Sequence, residues 1–295
     1  MFQRALICTD LEDGLHRLVD FVSSLALSGL NQITFLHTTA LLTDREIPRP
    51  DQEKVNHANE LLSKALEDCP DGVDVKIDIQ SGRPVDHIFK AIKTHKPDIL
   101  ILGTENRSQL TEKLFGSTTV ELCKRLDIPV MILRPQLIST YTVAELKLRC
   151  QNLFRYFLIP YDDSKSAKSL IQSIKELATD RPKDSLQDVL LIWVVDKVTR
   201  RSLKTVTQYQ LQEAEKKLAE VKTELDALGL NVNTLVKQGE GIPEILATGM
   251  DYDISGITIS SNSFGKLAEW SSPSFAGQLL RQSWHPVIYF PMKKK

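Results

Sequence analysis

DILILGTENRSQLTEKLFGSTTVELCKRLDIPVMIL, residues 98–133, decides how the chain folds. Ile99–Leu102 is a short apolar run that reads as a buried strand, and Gly103 ends it. A polar loop follows, and Gly116-Ser117 opens a helix that runs back to a second buried strand, Val130–Leu133. Two backbone openings with a loop between them can cradle a phosphate chain. Glycine lets the main chain approach a ligand closely, and the first N–H groups of a helix point at an anion.

Outward from this stretch, strand and helix patterns alternate. Gln3–Thr9 reads as a buried strand with Asp10 at its end, and Leu15 to Ala26 has helical spacing closed by Gly29. Ile33–Thr39 is a second strand, and a loop containing Pro48 and Pro50 leads to a polar amphipathic helix, Asp51–Glu67. Val73–Gln80 alternates as a half-covered strand, and Gly82-Arg83-Pro84 turns into a helix over Val85–Thr94. A β-α-β-α-β-α-β-α-β order calls for a parallel sheet with helices on both faces.

Residues from about Gln136 to Phe154 form a helix-like connector with Thr142 as its cap, and then the pattern restarts. Strands are predicted at Phe157–Tyr161, Asp188–Val195, Val232–Lys237, Asp253–Ile259 and Val287–Phe290. Helices are predicted at Ser166–Leu177, Ser202–Leu228 and Ser274–Gln282. Gly82 and Gly239 lie 157 residues apart, as do Pro129 and Pro286, while Asp10 and Asp162 lie 152 apart. A near-constant offset along the chain marks an internal repeat. The expected fold is therefore α/β: two tandem copies of a five-stranded parallel-sheet, Rossmann-like sandwich with helices on both faces. The expected domains are 1–137 and 154–295, joined by a connector at 138–153.

Composition narrows the function. The 295 residues are 42% hydrophobic and 25% charged, with a formal net charge of −1. Near-neutral charge gives no electrostatic case for a nucleic-acid partner. No apolar run approaches the ~20 residues that span a bilayer, and the N-terminus has no apolar core of a signal peptide. Four scattered cysteines, Cys8, Cys69, Cys123 and Cys150, suit a reducing compartment. A cytoplasmic location is expected. Signatures of a Walker phosphate loop, a zinc protease or a nucleophile elbow are missing. The histidines do not take metal-ligand spacing, and His37, in an apolar strand, reads as a satisfied core residue. No catalytic and no metal residues are assigned.

The loop Gly103-x2-Asn106-x9-Gly116-Ser117, with Asp10 just after the first strand, resembles the universal stress protein family. Its nucleotide-binding branch carries G-x2-G-x9-G-[S/T] between the fourth strand and fourth helix. The strand TFLHT and the segment DIPVMIL are similar to the family as well, and the resemblance spans nearly the whole chain as a tandem pair. It implies an adenine nucleotide in the first copy, ATP with Mg²⁺ as companion ion, near Thr9, Asp10, Thr38, Gly103, Thr104, Asn106, Gly116, Ser117 and Thr118. Asp10 would accept a hydrogen bond from the base or ribose, or cap the following helix, or both. Asn106 stands where the family has its second glycine. Asn tolerates the left-handed backbone best after glycine, so the turn can survive. Arg107 and Lys113 in the loop are balanced by Glu105 and Glu112.

The second copy reads Ser260-x2-Ser263-x9-Pro273-Ser274 and has lost all three glycines, so it is expected to serve as a structural partner. The leading function is a cytoplasmic stress-response regulator that binds ATP or a related adenine nucleotide in the N-terminal domain without robust catalysis. The alternative is a nucleotide-free protein-interaction module acting as a pseudo-dimeric scaffold. A slow ATPase would need a base or cationic finger, and no residue is identified for either. In the family the fifth strands pair subunits, so an internal pseudo-dimer is expected, with further dimerisation and the protein partner left open.

Overall fold

A computed structural model describes residues 1–43, 47–67, 69–103, 121–123, 125–182, 185–196, 204–260 and 275–292. Contacts divide the chain into two compact units, Phe2–Leu153 and Phe154–Lys295 with Met1.

The first unit begins with β1 (Arg4–Thr9). A 3-10 helix (Leu15–Phe21) then leads directly into α1 (Val22–Leu27). β2 (Gln32–Thr39) follows, then a small antiparallel pair, β3 (Leu41–Leu42) with β4 (Arg49–Pro50). Next come α2 (Gln52–Ser63), β5 (Asp74–Ser81), α3 (Pro84–His95), β6 (Ile99–Gly103) and β7 (Val130–Leu133). Two helices close the unit, α4 (Pro135–Thr140) and α5 (Val143–Gln151). The sheet order is β5-β2-β1-β6-β7, with every neighbour parallel.

This order places the site. From β1 the chain steps outward to β2 and β5, then crosses back over β1 to reach β6 and β7. Right-handed crossovers put the helices of the two directions on opposite faces. The direction reverses between β1 and β6, and ligands of open α/β sheets bind outside the carboxyl ends of the strands at such a point. Thr9 and Gly103 end the two flanking strands. Strand interiors are apolar on both sides, as parallel sheets require: Leu6, Ile7, Ile33, Phe35, Ile99, Leu100 and Ile101 are inaccessible to solvent.

The second unit has β8 (Tyr156–Pro160), α6 (Lys165–Thr179), β9 (Asp188–Val195), α7 (Lys204–Asp226) and β10 (Asn231–Gln238). It continues with α8 (Gly241–Asp251), β11 (Gly256–Ser260), α9 (Phe275–Gln282) and β12 (Val287–Phe290). Its order, β10-β9-β8-β11-β12, repeats the first unit strand for strand. The anchoring of the first strand repeats too. The Asp98 carboxylate accepts from the N–H groups of Gln3 and Arg4, and 157 residues on the Ser255 hydroxyl accepts from the N–H of Tyr156.

Three expectations change. The first helix begins as a 3-10 helix after the left-handed Gly14 (φ 75°), with the N–H of its first residue, Leu15, donating to the Asp13 carboxylate. α8 was missed in the sequence, where Pro243 and Gly249 argue against a helix. Pro243 falls in the first turn, where its missing N–H costs nothing. The connector is two helices, the second starting at Thr142 with a full capping box to Glu145, and α5 packs on α1 within the first unit. The guanidinium of Arg17 reaches the carbonyls of Ile138 and Tyr141 and so satisfies backbone acceptors around the end of α4.

Candidate functional site at the first topological switch

Asp10, Leu11, Glu12, Asp13 and Gly14 link β1 to the 3-10 helix. Asp10 Oδ1 accepts from the N–H groups of Glu12 (2.9 Å) and Asp13 (2.8 Å). Asp10 therefore holds the turn rather than capping the helix that follows. Leu11 is left-handed at φ 67°, as is Gly14 at φ 75°. Two left-handed residues on either side of Glu12-Asp13 fold the segment back, and Asp13 turns inward to 6% exposure.

Asp13 is the residue that the sequence did not single out. Its Oδ1 accepts from the Thr9 hydroxyl at 2.6 Å and from the N–H of Leu15 at 2.9 Å. The Thr9 hydroxyl accepts in turn from the N–H of Leu11 at 3.0 Å. Oδ2 is turned to Gly103: a Cβ built on Gly103 would lie 2.8 Å from Oδ2 and 2.9 Å from the Asp13 Cβ. Gly103 has no positive φ, so its glycine is a matter of space and not of backbone angle. Burial pushes the Asp13 carboxyl up to about 6, with the Asp10 charge adding to the rise and the Thr9 bond opposing it.

The other strand ends complete the crevice. Thr9 is opposite His37 in the register of β1 and β2. His37 is buried, and its Nδ1–H donates to the Thr9 carbonyl at 2.9 Å. That bond makes His37 a satisfied core histidine. Thr38, one residue on, is half-buried at the end of β2. The structure thus brings Thr9, Asp10, Thr38 and Gly103 to one edge of the sheet. Thr104, Asn106, Gly116, Ser117 and Thr118 lie outside the described residues. Among the described residues no group of His, Cys, Asp and Glu could hold a metal ion.

The corresponding place in the second unit is built differently. Tyr161 stands where the first unit has Thr9, and Trp193 corresponds to His37. Their rings meet edge to face, with centroids 5.9 Å apart. Tyr161 is 5% exposed and donates its hydroxyl to Asp163 at 3.1 Å, while Lys168 pairs with Asp163 at 3.0 Å. Ser260 replaces Gly103 at the end of β11. Two aromatic rings in contact thus stand at the strand positions that Thr9 and His37 hold in the first unit.

A model of the universal stress protein family matches residues 1–134 and again 154–291. The chain belongs to the universal stress protein family. The two matches coincide with the two repeats, and each universal stress repeat carries its own switch point. The universal stress protein MJ0577 of Methanocaldococcus jannaschii is 31% identical over 91 residues, which is 31% of this chain and 55% of that protein. The chain thus spans about half the length of that curated relative. A universal stress protein of Archaeoglobus fulgidus has the same fold, with a TM-score of 0.66 at 19% identity, over 98% of this chain and 97% of that one. The functionally unknown protein PA1789 of Pseudomonas aeruginosa matches over 99% of this chain and 93% of its own, with a TM-score of 0.57 at 13% identity. At these identities the two structures speak to the fold alone. Among the described residues no helix is long and apolar enough to cross a membrane.

Proposed function

We propose that this tandem universal stress protein is a cytoplasmic regulator that binds one adenine nucleotide in its first repeat and does not turn it over rapidly. The observation that carries the reading is the contrast between the two switch points. The first keeps small polar residues and a glycine, Thr9 and Gly103, at the ends of the flanking strands, and the loop that begins at Gly103 retains Gly116-Ser117 at the family's spacing. The second is filled by Tyr161 and Trp193, and its loop has no glycine at the three positions. The backbone of the first repeat can meet a ribose and phosphate; that of the second cannot be approached in the same way.

Fast phosphoryl transfer needs a positioned base or cation at the transferring group. No residue of the first switch point is assigned that role, and Mg²⁺ would accompany a triphosphate only as a counter-ion. Nucleotide would instead bias the shape of the first repeat and so its protein partners. Titration calorimetry of the full chain with Mg-ATP, beside Gly116→Val, tests this. One saturable site per chain, lost in the variant, is expected. Two sites would overturn the assignment of the second repeat. No binding at millimolar ATP would leave the scaffold reading, which the Asp13 side chain against Gly103 favours.

A further inference from the structure

Asp13 poses a problem for any anionic ligand at this site. Its carboxylate lies against Gly103 on the side where a Cβ would stand, and on the nucleotide reading this sets a negative charge beside the backbone that a phosphate would approach. The fold uses one oxygen of it, since Oδ1 ties the Thr9 hydroxyl to the first N–H of the 3-10 helix, while Oδ2 faces Gly103. In the second repeat the position corresponding to Asp13 is Lys165, which opens a regular helix behind the Ser164 cap and is exposed. Only the first repeat has the left-handed Gly14 after this position, and there the carboxylate is buried. Burying a carboxylate costs stability unless its partners compensate; the bonds from Thr9 and Leu15 offset only part of the burial of Asp13, and carboxylates perturbed in this way concentrate at functional sites.

We propose that Asp13 is the specificity-determining residue of the first switch point: its carboxylate bars phosphorylated nucleosides from Gly103 while it is charged, and admits them once it is protonated. The inference rests on the nucleotide reading of this site and adds the condition under which the site opens. An uncharged nucleoside does not meet the same barrier, because it carries no negative charge for the carboxylate to repel. The groups that face Asp13 set the condition. Asp10, in the same turn, repels its charge, and the Thr9 hydroxyl and the Leu15 N–H favour that charge. From β1 the Cys8 thiol also faces it. Burial, and then the Asp13 charge, push that thiol far above its ordinary range, so it stays neutral. From β6 the nearest group is the uncharged backbone of Gly103.

The test is calorimetry of the full chain with ATP and with adenosine at pH 5.5 and 7.5, in buffers of different ionisation heat, beside Asp13→Asn. Asn keeps an acceptor for Thr9 and Leu15 and removes the charge. With the carboxyl at about 6, only a small fraction is protonated at pH 7.5, so wild-type ATP affinity should rise about twentyfold at pH 5.5. At pH 7.5 wild-type binding of ATP should take up one proton from buffer beyond the uptake seen with Asp13→Asn. The variant should bind ATP about thirtyfold more tightly than wild type at pH 7.5. Adenosine affinity should change little with pH in either protein. Equal ATP affinity and equal proton uptake in the two proteins would overturn the gate and leave the nucleotide site standing. Failure of both proteins to bind ATP and adenosine at either pH would overturn the nucleotide reading itself. Proton uptake is read on the wild type against the known titration of ATP, so the gate stays open to refutation should the variant fold poorly.

Discussion

Leu11 and Asp163, 152 residues apart in the chain, carry the same left-handed backbone, at φ 67° and φ 59°. Each follows an aspartate, Asp10 or Asp162, whose Oδ1 accepts from an N–H two residues on. The turn at the end of the first strand is therefore a property of the repeat, kept even where glycine is absent. Asp tolerates this backbone better than Leu, so the strain is larger in the first repeat.

That strain predicts the effect of substitution. Leu11→Ile should destabilise by about 1–2 kcal/mol, because a β-branched residue fits a positive φ worse than leucine does. Leu11→Gly removes a half-buried side chain, yet should stay within about 1 kcal/mol of wild type, since relief of strain offsets the lost contact and the added chain entropy. Urea denaturation of the two variants checks the order. A glycine variant weaker than the isoleucine one would show that the side chain matters more than the turn.

Gly103 is glycine because Asp13 occupies the space that a side chain would need. Asp13 is held by Thr9 and the Leu15 N–H and cannot swing away freely. Gly103→Ala should cost about 1–3 kcal/mol. The same substitution in an Asp13→Ala background should cost well under half of that, giving a coupling that a double-mutant cycle reads directly. Additive effects would mean that another neighbour of Gly103 sets its size.

The titration of Asp13 gives stability a signed pH dependence. Its folded carboxyl is raised to about 6 from the ordinary 3.8, so the folded chain holds the proton more tightly than the unfolded one. Charging it above pH 6 therefore costs stability, and the cost is relieved as pH falls from about 7 to 4. A shift of this size corresponds to about 3 kcal/mol at most. Asp13→Asn should be more stable than wild type at pH 7.5, and the difference should vanish near pH 4. Melting curves of the pair across this range decide it; a difference that does not change with pH would place the carboxyl outside the titration.

Arg17 predicts the behaviour of the two helices that follow β7. Its guanidinium spans two carbonyls, Ile138 and Tyr141, and a lysine has one donor head for both. Arg17→Lys should destabilise the first unit by about 1–2 kcal/mol and increase proteolytic cleavage between α4 and α5. Unchanged cleavage would mean that the packing of α5 on α1 holds the segment without the arginine.

The sequence by itself determined the strands, their parallel direction and the repeat, while the order of the strands in each sheet came from the structure. Apolar runs such as Ile99–Leu102 and Val130–Leu133 can only be buried on both faces, and glycines and prolines at fixed offsets return in the second copy. Gly103 and Thr9 were legible as strand ends because each closes such a run, and they enter the proposed site through the family resemblance. His37 was legible as a satisfied core residue for a different reason, as a polar side chain inside an apolar strand. The helix Gly241–Asp251 was not, since Pro243 and Gly249 speak against it locally, and its buried Ile242 and Ile245 are explained only by the sheet beneath. Tertiary structure alone decided the role of Asp13. In the sequence it is one acid among several in a polar turn, 90 residues before Gly103. The crossover that returns the chain to β6 beside β1, and the bonds from Thr9 and Leu15 that hold the side chain, bring the carboxylate onto that glycine. No local pattern encodes such a contact, because it forms between a turn and a strand that meet only when the sheet has closed.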